Sequence, residues 1–369
     1  MPKLRMKTVL GFGIGDLGGN LYFSMIGFIF IFYLTEKMGL SGTLAGMAMM
    51  IGKLWDAITD PIVSTISDRS TSKFGRRRPF IFWGALLLAI SMVLMFSLPK
   101  FESTLTTFIV VTALFALLST AYTFVNIPYA SMQPELTDDY DDKTRLTSFR
   151  MGFAILGTLL AVTARPIAES FGLKRNGWTF MAIIMGSIML ISSWITVFTV
   201  KEKPASSYKE QKGIKESYFE AFKNREFILA LIPWTLFVSG VTIIQGAFLY
   251  YFKYLFGNQG LFELTIFGLI IIALISLPLW VRISQKISKG RSYMIGMGII
   301  PDVVELDSAR TGIRREGVYY SIWNFVMKSG QAIAGLIIGV TLDLFGFIPP
   351  ASNGDVVVQK LLLLLELSF

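Results

Sequence analysis

Three ionisable side chains lie within a stretch of sequence that is otherwise apolar enough to enter a membrane. The stretch covers residues 51–61 and holds Lys53, Asp56 and Asp60 at spacings of three and four residues. These spacings place the three side chains on one face of a helix. A charge at bilayer depth costs about 2.5 kcal/mol or more unless it is paired, hydrated or ligated. Two carboxylates one helical turn apart therefore predict a bound cation.

Three cations suit this pair of carboxylates: a proton, Na⁺, or Lys53 itself. With Lys53 the arrangement would be a structural ion pair and nothing more. Ionisable residues inside a membrane span are, however, functional by default. One lysine also neutralises only one of the two acids, which leaves a site for a mobile ion.

The composition is that of a multi-pass membrane protein. Of the 369 residues, 53% are hydrophobic and 16% are charged, whereas soluble domains carry about 25% charged residues. The net charge of +9 comes from basic residues in short loops, where they report membrane topology and not nucleic-acid binding. The absence of cysteine and histidine excludes disulfides, thiolate metal sites and His-based catalysis. We therefore expect neither an enzyme nor a cofactor beyond a coupling ion.

Apolar stretches of helical length predict an all-α protein that crosses the membrane many times. The predicted helices cover residues 8–33, 42–68, 79–98, 105–132, 145–168, 178–200, 227–256, 261–283 and 318–344, and Ser41 is the predicted N-cap of the second. Residues 201–225 are polar and rich in Lys and Glu, which indicates a cytoplasmic linker. The predicted domains are an N-terminal six-helix bundle (1–200), the linker (201–225) and a C-terminal bundle (226–369).

The C-terminal bundle is incomplete by this prediction. Residues 288–291 (Ser-Lys-Gly-Arg) echo residues 72–76 (Ser-Lys-Phe-Gly-Arg), which indicates a duplicated bundle. The following residues, 292–300, are apolar for only nine positions, against about 20 needed to cross a membrane. Basic segments flank this stretch and belong on the same membrane face. We therefore expect the helix 9/10 hairpin to be missing between Gly298 and Pro301, and helix 12 to be short.

Other polar residues within the predicted spans are candidates for a ligand site. Asp16 and Asn20 lie four residues apart on the first helix, and Tyr122 and Asn126 lie four residues apart on the fourth, next to Pro128. Such a stripe either binds a ligand beside a proline-interrupted helix or simply packs against neighbouring helices.

Two cations lie within later spans. Lys328 either snorkels to the membrane surface or provides the counter-charge for the acids of the second helix, and its depth favours the second interpretation. Arg165 lies near the end of the fifth helix and is expected to snorkel.

A strongly basic loop follows the second helix at residues 68–78 and marks that membrane face as cytoplasmic, together with the N-terminus. The loop is either a topology signal alone or a cytoplasmic gate made of ion pairs between helices. The candidate gate residues are Asp68, Arg69, Arg76 and Arg77.

Several of these segments together resemble the glycoside, pentoside and hexuronide cation symporters of the major facilitator superfamily, of which the melibiose permease is the best-known member. The resemblance is carried by residues 53–61 (Lys-Leu-Trp-Asp-Ala-Ile-Thr-Asp-Pro), Gly15-Asp16, Asn126-Ile-Pro128, Arg150, residues 301–305 (Pro-Asp-Val-Val-Glu), Thr311-Gly312 and residues 314–317 (Arg-Arg-Glu-Gly). It implies two six-helix bundles around a central cavity that opens alternately to each side of the membrane.

The resemblance also implies a cation site. It makes Asp56 and Asp60 the ligands of the coupling cation, with Thr123 as a further oxygen ligand. It places Lys328 near the same charged cluster, from the other bundle, so that Lys53 and Lys328 are the candidate charge partners.

For the sugar, the resemblance implies that Asp16 and Arg150 bind hydroxyl groups. The expected sugar site comprises Asp16, Asn20, Tyr122, Asn126 and Arg150. Two positions depart from the melibiose-transporting pattern: Asn126 stands where a carboxylate is expected, and Ala130 where a sugar-stacking tryptophan is expected.

Together these features predict a secondary active transporter that moves a sugar or glycoside by symport with Na⁺ or H⁺ across a bacterial plasma membrane. Its expected partners are the sugar, a monovalent cation and the lipid bilayer, with no nucleic acid. Two alternatives stay open: a lysolipid-type facilitator of the same fold, and a truncated membrane protein that does not transport. Asp16, Asn20 and Arg150 favour a polyhydroxylated substrate over a lysolipid.

Overall fold

The computed structural model describes residues 4–137, 139–170, 176–202, 221–286, 307 and 316–349, and within these ranges the chain is helical, with no β-strand. The long helices are α1 (Met6–Glu36), α2 (Gly42–Arg69), α3 (Arg78–Phe96), α4 (Thr104–Leu136), α5 (Tyr140–Val162, continued by Ala164–Ser170), α6 (Asn176–Thr199), α7 (Arg225–Leu255), α8 (Gly260–Lys286) and α9 (Glu316–Leu344). Seven helices of the described ranges are long and apolar enough to cross a membrane. The all-α membrane fold predicted from the sequence is confirmed.

Capping side chains set the beginnings of several helices. Ser41 Oγ accepts a hydrogen bond from the Leu44 backbone N–H at 3.3 Å and thereby begins α2, as predicted. Asp139 caps α5 in the same way, so this helix begins earlier than the predicted residue 145. The acidic residues after Asp139 form the first turn of α5, because negative charge is favoured at a helix N-terminus.

Three helices depart from regular α-helical geometry or from the prediction. α1 contains a π-helical turn at Ile26–Phe30, and α7 ends in another at Tyr251–Leu255. The expectation of a proline-interrupted fourth helix is wrong, since α4 continues through Pro128 to Leu136. Pro128 removes one backbone hydrogen bond, but the turns on both sides keep the helix intact.

The joint between the first six helices and the last three is made chiefly by α2, which packs against α4 on one side and against α9 on the other. Gly42 and Gly339 permit the close approach of α2 to α9: a Cβ atom at Gly339 would lie 2.1 Å from the Gly42 carbonyl oxygen. The predicted domain boundaries stay a prediction. Most of the linker, the expected junction at residues 298–301 and the C-terminal tail lie outside the described residues.

Polar contacts join the two groups of helices at the membrane end opposite the loop of residues 68–78. The Asp343 carboxylate accepts hydrogen bonds from the backbone N–H groups of Gly42 and Thr43, both at 2.7 Å, at the N-terminus of α2. Thr35 and Tyr250 share a hydroxyl–hydroxyl hydrogen bond of 2.6 Å. We call this end the closed end and the other the basic-loop end.

Two buried ion pairs strengthen the closed end. Glu36 pairs with Lys253 of α7. Arg165 is only 6% exposed and pairs with Glu263 of α8 at 2.6 Å, so the expectation that it snorkels is wrong. Between described residues, every hydrogen bond or ion pair that joins α1–α6 to α7–α9 lies at this end or at mid-membrane depth.

Toward the basic-loop end an open cavity of about 580 Å³ lies between α5 and α8. It is lined by one face of α5 and by Leu274 of α8, the α5 residues being Lys143, Thr144, Thr147, Ser148, Met151, Gly152 and Ile155. Among the described residues, the polar contacts between the two groups of helices thus lie at the closed end and at mid-membrane depth, whereas the cavity lies toward the basic-loop end.

Candidate functional site

Four side chains from three helices converge at mid-membrane depth. Asp56 and Asp60 project from α2, Thr123 from α4 and Lys328 from α9. The Lys328 ammonium lies 2.9 Å from Asp56 Oδ2 and 2.5 Å from Asp60 Oδ2, so it bridges the two carboxylates, which we call the acid pair. All four residues are at most 8% exposed.

Thr123 completes a ring around the acid pair. Its hydroxyl group lies 2.7 Å from Asp56 Oδ1 and 3.2 Å from Asp60 Oδ1, and 3.1 Å from the Ser119 backbone carbonyl. A hydroxyl group carries one proton and can satisfy only one of three acceptors fully. The two carboxylates of the acid pair thus face one ammonium group and one hydroxyl proton, which leaves one negative charge uncompensated. A bound cation or an added proton would neutralise that charge.

Lys53, expected as a charge partner of the acid pair, forms no ion pair with a described carboxylate. Its ammonium lies 5.5 Å from the centre of the Phe23 ring. The physical reason is the tilt of side chains toward the N-terminus of their helix, which carries Lys53 away from Asp56, one turn further on. The structural ion pair that the sequence offered for Lys53 is instead made by Lys328 of α9.

A second charged cluster lies within the first six helices. The Arg150 guanidinium binds both carboxylate oxygens of Asp16, with 3.3 Å between Nη2 and Oδ1, and also donates to the Gln133 amide oxygen. The guanidinium lies 5.2 Å from the centre of the Tyr129 ring. The Asn20 amide donates to the Asp16 backbone carbonyl at 3.1 Å. We call Asp16, Asn20, Gln133 and Arg150 the Asp16 cluster.

The Asp16 cluster continues as a partly open stripe along α1. Between Gly18 and Glu36, every residue of α1 is buried except four. The four face one side, because Gly19, Phe23 and Gly27 are spaced four residues apart and Asn20, next to Gly19, lies three residues before Phe23. With Asp16 they form what we call the α1 stripe.

Side chains from other helices lie along the α1 stripe. The Tyr122 ring lies beside Gly19, Lys53 lies over Phe23, and the Gln245 amide of α7 lies beside Gly27. Asn126 is half-buried and has no hydrogen-bond partner among the described residues. The predicted sugar-site residues thus lie on α1, α4 and α5, and the structure adds Gln133 and Gln245, which sequence reasoning missed.

A chain of contacts on α4 links the two clusters. Tyr22 of α1 stacks on Tyr122 with 4.2 Å between ring centres, and its hydroxyl lies 3.3 Å from Ser119 Oγ. Ser119 is also the residue whose carbonyl contacts Thr123. A displacement of Thr123 at the acid pair can therefore reach Tyr122 through directly touching groups.

Three of the four candidate gate residues, Asp68, Arg76 and Arg77, form a network inside the first six helices. Arg77 pairs with Asp68 at 2.7 Å and with Glu135 at 2.8 Å, and Arg76 pairs with Glu135 at 2.5 Å. The Glu202 carboxylate accepts hydrogen bonds from the backbone N–H groups of Arg76, Arg77 and Arg78. These contacts tie α2, α3 and α4 together and do not reach the described residues of α7–α9. Arg69 ends α2, and a gating role for the four residues stays a prediction.

Comparisons with known proteins agree with this architecture. A family described as "MFS/sugar transport protein" matches residues 11–300 and 295–368. The chain is 28% identical over 399 aligned positions to an uncharacterized symporter of Bacillus subtilis (strain 168), YnaJ, which covers 94% of this chain and 85% of that protein. It is 26% identical over 386 positions to a putative glycoside/cation symporter of Escherichia coli (strain K12), YagG, with 92% and 83% covered.

Among solved structures, one concerned with proton-dependent oligopeptide transporters superposes with a TM-score of 0.63 at 10% sequence identity, covering 96% of this chain and 92% of that chain. At this identity the likeness shows the fold alone. The family match itself is divided into two segments that meet at residues 295–300, next to the expected junction. The alignment with YnaJ is longer than this chain of 369 residues, so that relative contains segments that this chain lacks.

Proposed function

Because the chain belongs to the MFS/sugar transport protein family and is thus a multi-pass secondary transporter and not an enzyme, we propose that it moves a sugar or glycoside by symport with a monovalent cation. The cation is Na⁺ or H⁺, and the membrane is the bacterial plasma membrane. The relative YagG is described as a putative glycoside/cation symporter, which supports this substrate class.

The observation that carries the proposal is the acid pair bridged by Lys328 across the joint of α2 and α9. A coupling cation at the acid pair competes with the Lys328 ammonium for the same carboxylate oxygens. Binding of the cation therefore weakens the contact of Lys328 with the acid pair. It stabilises the conformation in which α2 and α9 are further apart at mid-membrane depth. This is the differential affinity that a ligand needs in order to shift a conformational equilibrium.

The sugar binds along the α1 stripe in this proposal. Asp16 accepts hydrogen bonds from sugar hydroxyls, Arg150 donates to them, and the Asn20 and Asn126 amides do both. Tyr122 connects this surface to Thr123 and hence to the acid pair. Cation and sugar then raise each other's affinity reciprocally.

The closed end and the basic-loop end together indicate which state of the transport cycle the described conformation represents. Basic residues favour the cytoplasmic face, so the basic-loop end is cytoplasmic in this proposal, as is the N-terminus. The closed end then faces outward, and the described helices correspond to an inward-facing state in this proposal. In this state the Asp68, Arg76 and Arg77 network holds α2, α3 and α4 together as one body that can move against α7–α9.

A second candidate is a membrane protein that does not transport. The observation that favours it is the divided family match near residues 295–300, where the family fold has helices that this chain lacks by our prediction. A cavity without one wall would leak the cation and could not couple its flux to that of a sugar.

The test is uptake of radiolabelled sugars into proteoliposomes under an imposed Na⁺ or proton gradient. Asp56→Asn is expected to abolish gradient-driven accumulation while the protein still inserts. Glu102→Gln removes an exposed carboxylate between α3 and α4 and provides the matched control, with uptake unchanged. Undiminished accumulation by Asp56→Asn would contradict cation coupling at the acid pair, and no accumulation by the wild-type chain would favour the second candidate.

A further inference from the structure

Two amide side chains of the last three helices lie at the joint without a hydrogen-bond partner among the described residues. Gln331 of α9 is 3% exposed, and Gln245 of α7 is half-buried. An amide group that is buried without a partner costs free energy, because it has given up its hydrogen bonds to water and gained none. These two amide groups therefore call for a partner that is not part of the described chain.

Gln331 lies one turn from the acid pair. On α9 it follows Lys328 by three residues, so the two side chains share a face. Lys328 contacts Asp56 of α2, and a Cβ atom at Gly335, one turn beyond Gln331, would lie 2.9 Å from the Met49 side chain of α2. Gln331 therefore lies between these two contacts of α9 with α2.

The side of α9 that carries Gln331 also faces α1 and α7. Ile338 lies seven residues, or two turns, after Gln331 and hence on the same side. Its Cδ1 atom lies 2.5 Å from the position that a Cβ atom at Gly246 of α7 would take, and Ile31 Cδ1 of α1 lies 3.8 Å from that position. Because α1 and α9 both run toward the closed end, Gln331 lies at the depth of α1 about two turns before Ile31. At that depth α1 carries Phe23 of the α1 stripe.

Gln245 is in direct contact with the α1 stripe. A Cβ atom at Gly27 would lie 2.7 Å from the Gln245 Oε1 atom, so the absence of a side chain at Gly27 leaves room for the amide group. Gly27 is the last residue of the stripe. The Gln245 amide group therefore closes the end of the surface that begins at Asp16.

The chemistry of an amide group indicates which ligand atoms it would bind. A primary amide offers two donors and one carbonyl acceptor at the tip of the side chain. This combination suits hydroxyl groups, each of which both donates and accepts. An apolar group in the same place would leave the buried amide unpaired and is rejected for that reason.

We infer that Gln331 and Gln245 bind hydroxyl groups of the transported molecule and fix its orientation; the inference rests on the proposed function. They add a binding surface on α7 and α9 to the one on α1, α4 and α5. A molecule bound to both surfaces joins the two groups of helices. Its affinity is then highest in the conformation that brings α1 closest to α7 and α9 at mid-membrane depth.

The main test separates binding from packing at Gln331. Gln331→Met keeps the length of the side chain and removes the amide group. The melting temperature of the ligand-free protein in lipid nanodiscs is expected to stay the same or to rise, because a buried unpaired polar group has been removed. Sugar affinity is expected to fall at least tenfold. Ile333→Met changes an exposed side chain on the far side of α9 and should alter neither quantity.

Sugar affinity is measured by calorimetry on the purified full chain, in saturating Na⁺ and separately at acidic pH without Na⁺. The sugars are glucose, galactose, xylose, glucuronate, lactose and melibiose. A lower melting temperature, failure to fold or unchanged sugar affinity in Gln331→Met would assign this amide group to packing and overturn the inference, while the proposed function stands. Binding of none of the six sugars to the wild-type chain would overturn both.

A second test displaces the Gln245 amide group without removing it. The methyl group of Gly27→Ala takes the place that the amide oxygen now occupies. Sugar affinity should therefore fall about as much as in Gln245→Met, and the double variant should lose no more than Gln245→Met alone. Gly268→Ala, where a Cβ atom would meet nothing within 4 Å, is the matched control. Additive losses, or no loss in Gln245→Met, would contradict the role of Gln245.

Discussion

The acid pair and the Asp16 cluster both hold buried carboxylates against a cation, but they join different parts of the molecule. Lys328 reaches the acid pair from α9, so that contact crosses from the last three helices to the first six. Arg150 reaches Asp16 from α5, so that contact stays within the first six. A change at the acid pair therefore alters how the two groups of helices meet, whereas a change at the Asp16 cluster alters a surface on one of them.

The difference separates two tasks of a coupled transporter. A ligand shifts a conformational equilibrium only if it binds the two states unequally. Movement of α9 relative to α2 would change the surroundings of the acid pair, whereas the partners of the Asp16 cluster all lie within the first six helices. The first is suited to sense the conformation and the second to recognise the substrate.

The largest expected effect is the loss of stability when the basic side chain of each cluster, Lys328 or Arg150, is removed. Lys328→Ala leaves two buried carboxylates without a counter-charge and is expected to cost about 3–5 kcal/mol. Saturating Na⁺ or acidic pH should restore part of the loss, about 2.7 kcal/mol at one hundred times the dissociation constant. Arg150→Ala should cost less and should not be rescued by the cation. Thermal unfolding of both variants, with and without Na⁺, checks this, and equal rescue of the two would erase the distinction between the clusters.

The next effect concerns ligand binding. Asp16→Asn weakens the hydrogen bonds to Arg150 and to a sugar hydroxyl, and such bonds to charged groups contribute about 1.5–3 kcal/mol each. Sugar affinity should therefore fall at least tenfold, while stabilisation of the protein by Na⁺ or protons persists. Asp56→Asn should show the opposite pattern, with loss of the cation effect. Calorimetry with sugar and thermal unfolding with cation, applied to both variants, would contradict the division of tasks if each variant lost both properties.

Some of this arrangement was open to prediction from the sequence. Lys328 was predicted beside the acid pair because a lone charge in an apolar span needs a partner, and the supply of buried cations is small. The contact of Asp343 with the N-terminus of α2 could not be predicted, because an acid near a helix end is equally common at a free surface. The contact of Gln133 with Arg150 could not be predicted either. Spacing along one helix predicts a shared face, but it does not tell which other helix that face meets.

The joint between α2 and α9 offers a way to perturb one cluster and spare the other. Gly339→Val places side-chain atoms where only 2.1 Å separates a Cβ position from the Gly42 carbonyl oxygen, which should push the helices apart at the closed end. Overpacking of this kind costs about 1–3 kcal/mol, enough to shift the equilibrium about tenfold toward opening. The chain has no cysteine, so a single cysteine at Met38 reports opening through its labelling rate. Gly268→Val on α8, where a Cβ would meet nothing within 4 Å, is the matched control.

The labelling experiment has a clear negative outcome. If the Met38→Cys labelling rate is the same with Gly339→Val as with Gly268→Val, the contact between α2 and α9 does not control the closed end. Sugar binding at the Asp16 cluster should in either case depend less on Gly339 than cation binding does, because only the acid pair uses a residue of α9.

The smallest expected effect tests the link between the clusters. Tyr22→Phe keeps the stacking on Tyr122 but removes the hydroxyl that lies 3.3 Å from Ser119. One neutral hydrogen bond contributes about 1 kcal/mol, so cation and sugar should both still bind, while the factor by which the cation raises sugar affinity falls about two- to fivefold. Tyr33→Phe is the matched control, since its hydroxyl donates over the same 3.3 Å to the Met95 carbonyl, away from both clusters. If both variants reduce the factor equally, coupling depends on general packing of α1. If only Tyr22→Phe does, the signal between the acid pair and the sugar passes through the ring pair and Ser119, inside one group of helices, and the movement of α9 is its consequence.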